Sequence, residues 1–499
     1  MNLIPEVGIV IRQSIVNAAI TYFGIGLGFV LTIFLYPHIL DPDQYGLTRV
    51  LISAALISSQ FAHLGFHNLI LRYFPFFKKA YPEGHGLLFW AFIIPFSGFL
   101  VFALLFFLLD DLFISVYSER SPLFADFYLW VLPLTLFVLY FEVLNNYLRS
   151  LRDAVSGSFV NEVFQRVLVI ALLLLYLFGL MSFSQFIGLF VLSYGLQPVF
   201  LTIQIARQGG LDLKPRFDIL RKKLLKGMAS YSLFSLLGGL TTVMVWNVDV
   251  LMLGAMTDLE STAVYAIAFY IGSVIAVPQR SVEKIAGPLI SEFIKSKKWD
   301  EVAILYKKTS LNQLIPGIFI FGLIWINLEL LFQFLPDIYS SGRWVVFIIG
   351  LAKLIEVGTG ANGIILLNSS HYRVSFYSNV LLVLLTIAAN YLLIPTYGIE
   401  GAAMASAFAI FVYNSVKSIY ILLNIGIQPL TGAAMTALAI GFFLIFILDA
   451  TGPWIGDSVW FRAIAQSVLF TLFFAAPVLL FRLSEDLNNL VAKFFRTFM

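Results

Sequence analysis

Arg207–Lys226 (RQGGLDLKPRFDILRKKLLK) is the longest polar interval between hydrophobic segments of this chain, and it sets seven Lys/Arg against two Asp. It falls near the middle, and the half of the chain before it resembles the half after it. The stretch reads as a cytoplasmic hinge between two homologous membrane bundles.

Composition supports that reading. The chain has 499 residues, 60% hydrophobic and 12% charged, with a mean hydropathy of +0.92. A soluble protein carries about 25% charge, so most of this surface must meet lipid or other membrane helices. Fifty Phe and 22 Tyr suit lipid contact and interfacial anchoring. With no cysteine, disulfides, thiolate metal sites and Cys nucleophiles are excluded. The N-terminal segment does not read as a cleavable signal, because the hydrophobic run after it is long enough to span.

A span needs about 20 apolar residues at about 1.5 Å each. That ruler predicts helices near 14–36, 47–71, 87–109, 124–148, 158–180, 184–206, 228–253, 262–285, 310–334, 344–367, 374–395, 400–423, 431–450 and 460–482. The expected fold is an all-α integral membrane protein with fourteen transmembrane helices. Continuous apolar runs argue for helices, since an open sheet edge in lipid leaves backbone groups unpaired.

With the N-terminus inside, about 24 of the 31 Lys/Arg fall on the inner side. The outer side holds Arg49, Arg120, Arg343 and Arg462, and Arg166, Lys353 and Lys417 lie within spans. Both termini are then cytoplasmic. The inner segment 288–308 alternates apolar and charged residues and predicts an amphipathic helix along the membrane surface.

The halves repeat. Tyr45 falls on Tyr265, Asn161 on Asn379, Gly179 on Gly398 and Tyr194 on Tyr413, while loop lengths and sides repeat with them. The expected organisation is a six-helix bundle over 1–206, the basic linker 207–227, a second six-helix bundle over 228–430, and two added helices with a cytoplasmic tail over 431–499. Parallel repeats related by an axis along the membrane normal are a known transporter plan.

The stretch from His38 to Pro75 carries Asp43, Tyr45 and Gly46, then Leu64, Gly65 and Arg72. The run WNVDVLMLGAMTDLESTAVYAIA carries Asp249, Leu253, Gly254 and Tyr265. These motifs resemble the polysaccharide-export branch of the multidrug/oligosaccharidyl-lipid/polysaccharide flippase superfamily. The resemblance implies a bacterial inner-membrane flippase that is not an enzyme. Its substrate would be an undecaprenyl-diphosphate-linked oligosaccharide for O-antigen (lipopolysaccharide), capsule or exopolysaccharide, moved by alternating access. Implied partners are that lipid-linked substrate, membrane lipids and other glycan-assembly proteins, with no nucleic acid. No cofactor is implied beyond coupling to H⁺ or Na⁺. The alternative within the fold is a MATE-like cation-coupled antiporter of small molecules, which predicts twelve helices and an acid-rich cavity. The flippase predicts a net cationic cavity, with an apolar groove for the prenyl tail lined by the first and last two helices.

Ionisable groups at bilayer depth cost roughly 2.5–3.5 kcal/mol and usually face the bundle interior. Glu162, Gln165 and Arg166 share one helix face. Arg166 and Glu162 are therefore substrate-cavity candidates, a guanidinium suiting phosphate oxygens; the plainer reading is a self-neutralising pair. Lys353 and Glu356 form a similar pair. Lys417, with no acid within one turn, is a further cavity candidate with Lys353, or it could snorkel. Glu142 stands one turn before Asn145 and Asn146, a patch suited to sugar hydroxyls or a cation. Asp249 and Glu356 are ion-coupling candidates, and Arg72, Arg149, Arg152 and Arg280 could gather an anionic head group.

Other signals are discounted. His63 and His67 have metal-ligand spacing, but the sequence shows no third ligand. Asp110–Asp111 reads as a helix end, and Asn368-Ser369-Ser370 lies on the inner side, away from glycosylation. The sequence shows no phosphate-cradling Gly-rich loop with Lys-Ser/Thr, which argues against nucleotide hydrolysis by this chain.

Overall fold

A computed structural model describes residues 4–80, 86–217, 222–456 and 458–498. Residues 218–221 of the basic linker lie outside them. Every regular element among the described residues is helical. Twelve helices are long and apolar enough to cross a membrane, or thirteen if one bent pair counts as a span.

The first unit, Met1–Ala263, contains Ile15–Ile39 (α1), Pro42–Ala62 (α2), Phe66–Ala80 (α3), Leu87–Leu108 (α4), Pro122–Ser150 (α5), Val155–Leu177 (α6), Phe183–Arg207 (α7) and Lys222–Met256 (α8). Helix α2 starts on a capping box, with Asp41 and Gln44 each satisfying the other's backbone N–H and Pro42 in the first turn. Ser182 and Gln185 repeat that device at the start of α7.

The predicted span 47–71 is broken. α2 and α3 meet at 44°, where Leu64 and Gly65 have φ of +53° and +73°. A side chain at Gly65 would put its Cβ 2.0 Å from the Ser232 carbonyl oxygen. Glycine is required there on both counts. Helix α5 packs on α2, α3, α4 and α7, and α8 packs on α2 and α3. The core between α3 and α5 is aromatic and aliphatic, with Phe74, Phe77, Leu144, Tyr147 and Leu148 buried.

The compact unit therefore extends past the basic linker, because α8 is seated on α2 and α3. The boundary read at 207–227 does not coincide with the division of compact packing, which falls between Ala263 and Val264.

The second unit, Val264–Met499, takes up Leu259–Lys295 (α9) from its first turns, then Trp299–Ile326 (α10), Asp337–Gly358 (α11), Tyr372–Ile425 (α12), Gly432–Gly452 (α13), Val459–Leu480 (α14) and Glu485–Phe498 (α15). Helix α12 has 54 residues. Held straight, it would run about 80 Å against a hydrocarbon core of about 30 Å. Gly398, at φ 55° and ψ −129°, interrupts it three residues after Pro395. Helices α13 and α14 pack on each other and on α10, with the Phe470 ring seated against Gly322.

One expectation is corrected. Segment 288–308 is not a separate surface helix. Helix α9 runs on to Lys295, a turn with Lys297 at φ 58° closes it, and α10 starts at Trp299. Ile290, Val302 and Tyr306 are buried in one cluster with Ala286 and Ile365. These buried residues, with Phe293 and Leu305 packed against them, hold two long helices together, while Leu289 and Ile304 are exposed.

Candidate functional site

Four polar residues of α5 define a face. Glu142, Asn145, Asn146 and Arg149 follow i, i+3, i+4 and i+7 spacing, which puts them on one side of a helix. They line a cavity of about 550 Å³ together with Gln60 of α2, His67 and Asn68 of α3, and Tyr231, Phe234, Ser235 and Thr242 of α8. Ligand sites typically occupy roughly 300–1,000 Å³.

The hydrogen bonding inside is specific. Gln60 Nε2 donates to both oxygens of Glu142 at 3.0 and 3.3 Å. Arg149 Nη1 donates to Asn146 Oδ1 at 3.1 Å, and Asn68 Nδ2 donates to Ser235 Oγ at 3.0 Å. Arg72 stacks its guanidinium over the Tyr231 ring at 4.4 Å. One carboxylate and one guanidinium line the cavity, so its ionised side chains balance. Among the described residues that line this cavity, neither sign of charge predominates.

The structure also supplies what the histidine motif lacked. His63 Nε2 lies 3.3 Å from Glu142 Oε2, and donor atoms of His63, His67 and Glu142 all lie within 4.8 Å of one another. The third group comes from a helix about 75 residues away in sequence, so spacing within α2–α3 could not reveal it.

Glu162 and Arg166 form an ion pair of 2.8 Å. Their side chains press on α1, where a Cβ at Gly24 would meet Glu162 and one at Gly28 would meet Arg166 within 2.7 Å. Arg166 Nη1 donates to the Gly24 carbonyl. Glu162 lies within a π-turn over Val160–Phe164 and Arg166 just beyond it, a feature frequent at functional sites. Neither residue is among those lining the 550 Å³ cavity.

In the second unit Lys353 is 2% exposed and binds Glu356 at 2.7 Å. Lys417 is 3% exposed, so it does not snorkel. Its ammonium lies 3.8 Å from the centre of the Tyr413 ring and contacts the Tyr413 hydroxyl, which donates to Asn379 Oδ1 at 2.8 Å. Asn414 Oδ1 beside it accepts from Thr359 and Asn362.

The remaining candidates scatter. Asp249 is buried in α8. Arg152 sits in the turn after α5 at φ 71°, and its carbonyl accepts from Gln13. Arg280 is exposed on α9. Of the four head-group candidates, only Arg149 lines the cavity.

Sequence reading missed Gln60, Asn68 and the α8 lining, although Tyr231, Ser235 and Thr242 recur at helical spacing. It also placed Arg49 with the outer loops. Arg49 lies inside α2, donates from Nε and Nη2 to the Tyr45 hydroxyl at 2.9 and 2.7 Å, and covers the rings of Tyr36 and Tyr45.

The long apolar helices define the class as a multi-pass membrane protein. The chain belongs to the polysaccharide biosynthesis protein family, whose model matches residues 10–293. Among solved structures it is similar to the lipid II flippase MurJ in an inward closed conformation. That match has 14% identity and a TM-score of 0.69, covering 94% of this chain and 99% of the other. It is also similar to an inward-facing multidrug resistance MATE family transporter of the MOP superfamily, at 14% identity and TM-score 0.62, covering 83% and 98%. The Vibrio cholerae MATE transporter VcmN matches at 13% identity and TM-score 0.53, covering 84% and 99%. No curated protein matches the chain. The superfamily resemblance read in the sequence is thereby confirmed, and the shared fold is that of flippases and transporters.

Proposed function

We propose that this protein flips a lipid-linked oligosaccharide from the cytoplasmic to the periplasmic leaflet of a bacterial inner membrane, by alternating access and without enzymatic chemistry. The carrying observation is the lining of the first unit's cavity. Amides (Gln60, Asn68, Asn145, Asn146), hydroxyls (Ser235, Thr242) and the aromatic Tyr231 are groups that bond sugar hydroxyls and cover sugar faces, and Arg149 adds a donor for a phosphate oxygen. The family match supports a glycan substrate.

Fourteen crossings result if the bent α2–α3 pair is one span and α12 is two, divided at Gly398. The MurJ match covers 94% of the chain and the MATE match 83%, which favours the longer plan. In this reading residues 1–206 and 228–430 are the repeats, 207–227 is a cytoplasmic hinge, and 431–499 adds two helices and a tail.

Surface glycan measured in a bacterium lacking its own oligosaccharide flippase, with and without this chain, tests the reading. Restored glycan is the expected result. Arg149→Ala should then lower export about ten- to a hundredfold, since one charge-assisted hydrogen bond contributes roughly 1.5–3 kcal/mol. Absent glycan together with efflux of a fluorescent cationic drug would favour the antiporter, which Glu142 in the cavity also suits.

A further inference from the structure

The second unit holds a cavity of about 260 Å³ that the glycan reading does not use. Its ionised walls are Glu329, just beyond α10, Arg343 of α11, Asp449 of α13 and Arg462 of α14. Arg462 Nη2 donates to both oxygens of Glu329 at 2.9 and 3.0 Å. The other pair is loose. Arg343 Nη2 stands 4.0 Å from Asp449 Oδ1, and each side chain is about half exposed. That separation is too long for a hydrogen bond, so the Arg343 fork and the Asp449 carboxylate keep bonding capacity for a ligand. Gln466 of α14 is buried, lines the same cavity and is fixed by its bond to the Leu448 carbonyl at 2.6 Å.

This cavity lies at a membrane boundary. Towards the start of α10, Lys308 pairs with Asp486 of α15 at 3.1 Å. The rise from Lys308 to Ile326, which lines the cavity, is about 27 Å, close to a hydrocarbon core of about 30 Å. Trp344, Trp454 and Trp460 are neighbours in sequence of the lining residues Arg343, Gly452 and Val459, and all three are more than half exposed. Exposed tryptophans mark the level of lipid head groups. Trp325, also in the lining, offers no bare face to a sugar. The Arg343 guanidinium covers its ring at 5.0 Å and Phe347 packs on it at 4.7 Å.

We propose that this cavity binds the head group of a phosphoethanolamine phospholipid, with its phosphate oxygens on Arg343 and Arg462 and its ammonium on Asp449 and Glu329. Charge decides between ligand classes. Two guanidiniums and two carboxylates leave no net charge among the described lining residues, so a purely anionic or purely cationic group meets as much repulsion as attraction. A head group with one charge of each sign finds a partner for both. The guanidinium fork suits phosphate oxygens, and a primary ammonium has three N–H donors for carboxylates. The volume is below the roughly 300–1,000 Å³ of drug-sized sites, which suits a head group whose acyl chains stay in the bilayer. Asp449 and Arg462 come from α13 and α14, and Glu329 and Arg343 from beside α10 and from α11, so one bound lipid bridges the two helix pairs. The proposal does not depend on the glycan reading.

The test is lipid binding to the purified, delipidated full-length protein in detergent, read by native mass spectrometry. Phospholipids of one acyl composition are added with phosphoethanolamine, phosphocholine or phosphoglycerol head groups. The expected result is a saturable site that takes the phosphoethanolamine lipid about tenfold more tightly than the other two, since the phosphocholine ammonium has no N–H and phosphoglycerol has no cation. Asp449→Asn should abolish that preference without weakening phosphoglycerol binding, whereas Arg343→Gln should weaken all three lipids. Glu329→Gln, on the more exposed carboxylate, replaces Asp449→Asn if that variant does not fold. A parent protein with no head-group preference would overturn the proposal, as would carboxylate variants that keep the preference or lose all three lipids alike. Soluble O-phosphoethanolamine that binds as tightly as the lipid would also overturn it, assigning the cavity to a free ligand.

Discussion

The two units treat intramembrane charge in different ways. In the first, Glu142 faces a cavity with a quarter of its side chain exposed, and Glu162 and Arg166 keep 24% and 28% exposure. In the second, Lys353 and Lys417 are 2% and 3% exposed and closed in by Glu356 and Tyr413. Positions that the sequence reading pairs also sit in different surroundings. Tyr413 bonds Asn379 in the second unit. In the first, Asn161 instead donates to Glu162 Oε1 at 3.3 Å, within a π-turn that the second unit's long α12 does not repeat at Asn379. An accessible charge can bind and release a ligand. A sealed charge is held by fixed partners and mainly specifies packing. The contrast holds for these lysines and not for every charge: Asp249 of the first unit is 3% exposed and Glu356 of the second 28%.

The strongest way to break this contrast is Arg166→Ala. Export should be abolished while the protein still inserts, measured as surface glycan against membrane abundance; normal export would remove Arg166 from the working set. Next comes Glu356→Ala, which removes the carboxylate 2.7 Å from buried Lys353. Breaking a buried pair costs about 3–5 kcal/mol, so the detergent-solubilised protein should melt markedly earlier. An unchanged melt would mean that Lys353 is not locked.

The smallest effect is expected at Asp153, after α5. Burial raises its pKa, but this is outweighed by hydrogen bonds from the Ser156 hydroxyl and N–H and from Gln204 and Gln208, leaving it below the ordinary value. The carboxylate is thus favoured in the folded state. Its stabilisation is present above the unfolded value of about 3.9 and is lost as pH falls through the lower folded value. Asp153→Asn should cost about 1 kcal/mol at neutral pH, and the difference in melting temperature should vanish in strong acid. A constant difference would show that charge plays no part.

Much of the fold was legible in single stretches. Uninterrupted apolar runs marked the spans, and the motifs around Tyr45 and Gly65 carried the family resemblance. The α2–α3 break was not legible, because Leu64 adopts a left-handed conformation that its side chain does not announce. Segment 288–308 misled for a related reason: amphipathic spacing says that a helix has an apolar face, not whether lipid or another helix covers it. The site was half visible. The α5 face could be read from spacing alone, since Glu142, Asn145, Asn146 and Arg149 lie on one helix. His67, Gln60 and Tyr231 joined it only through packing between helices.

By itself, the sequence determined that this chain lives in a membrane, that it is helical, and that it resembles the family whose model it matches, the polysaccharide biosynthesis proteins. Those conclusions rest on local properties: hydropathy over about 20 residues and short motifs. Only the tertiary structure decided which charges keep access to a cavity and which are sealed. That depends on which helix faces which. The partners of Glu142 come from α2 and its junction with α3, and that of Lys417 from the next turn of its own helix. Exposure is a property of the packed bundle, set by neighbours distant in sequence.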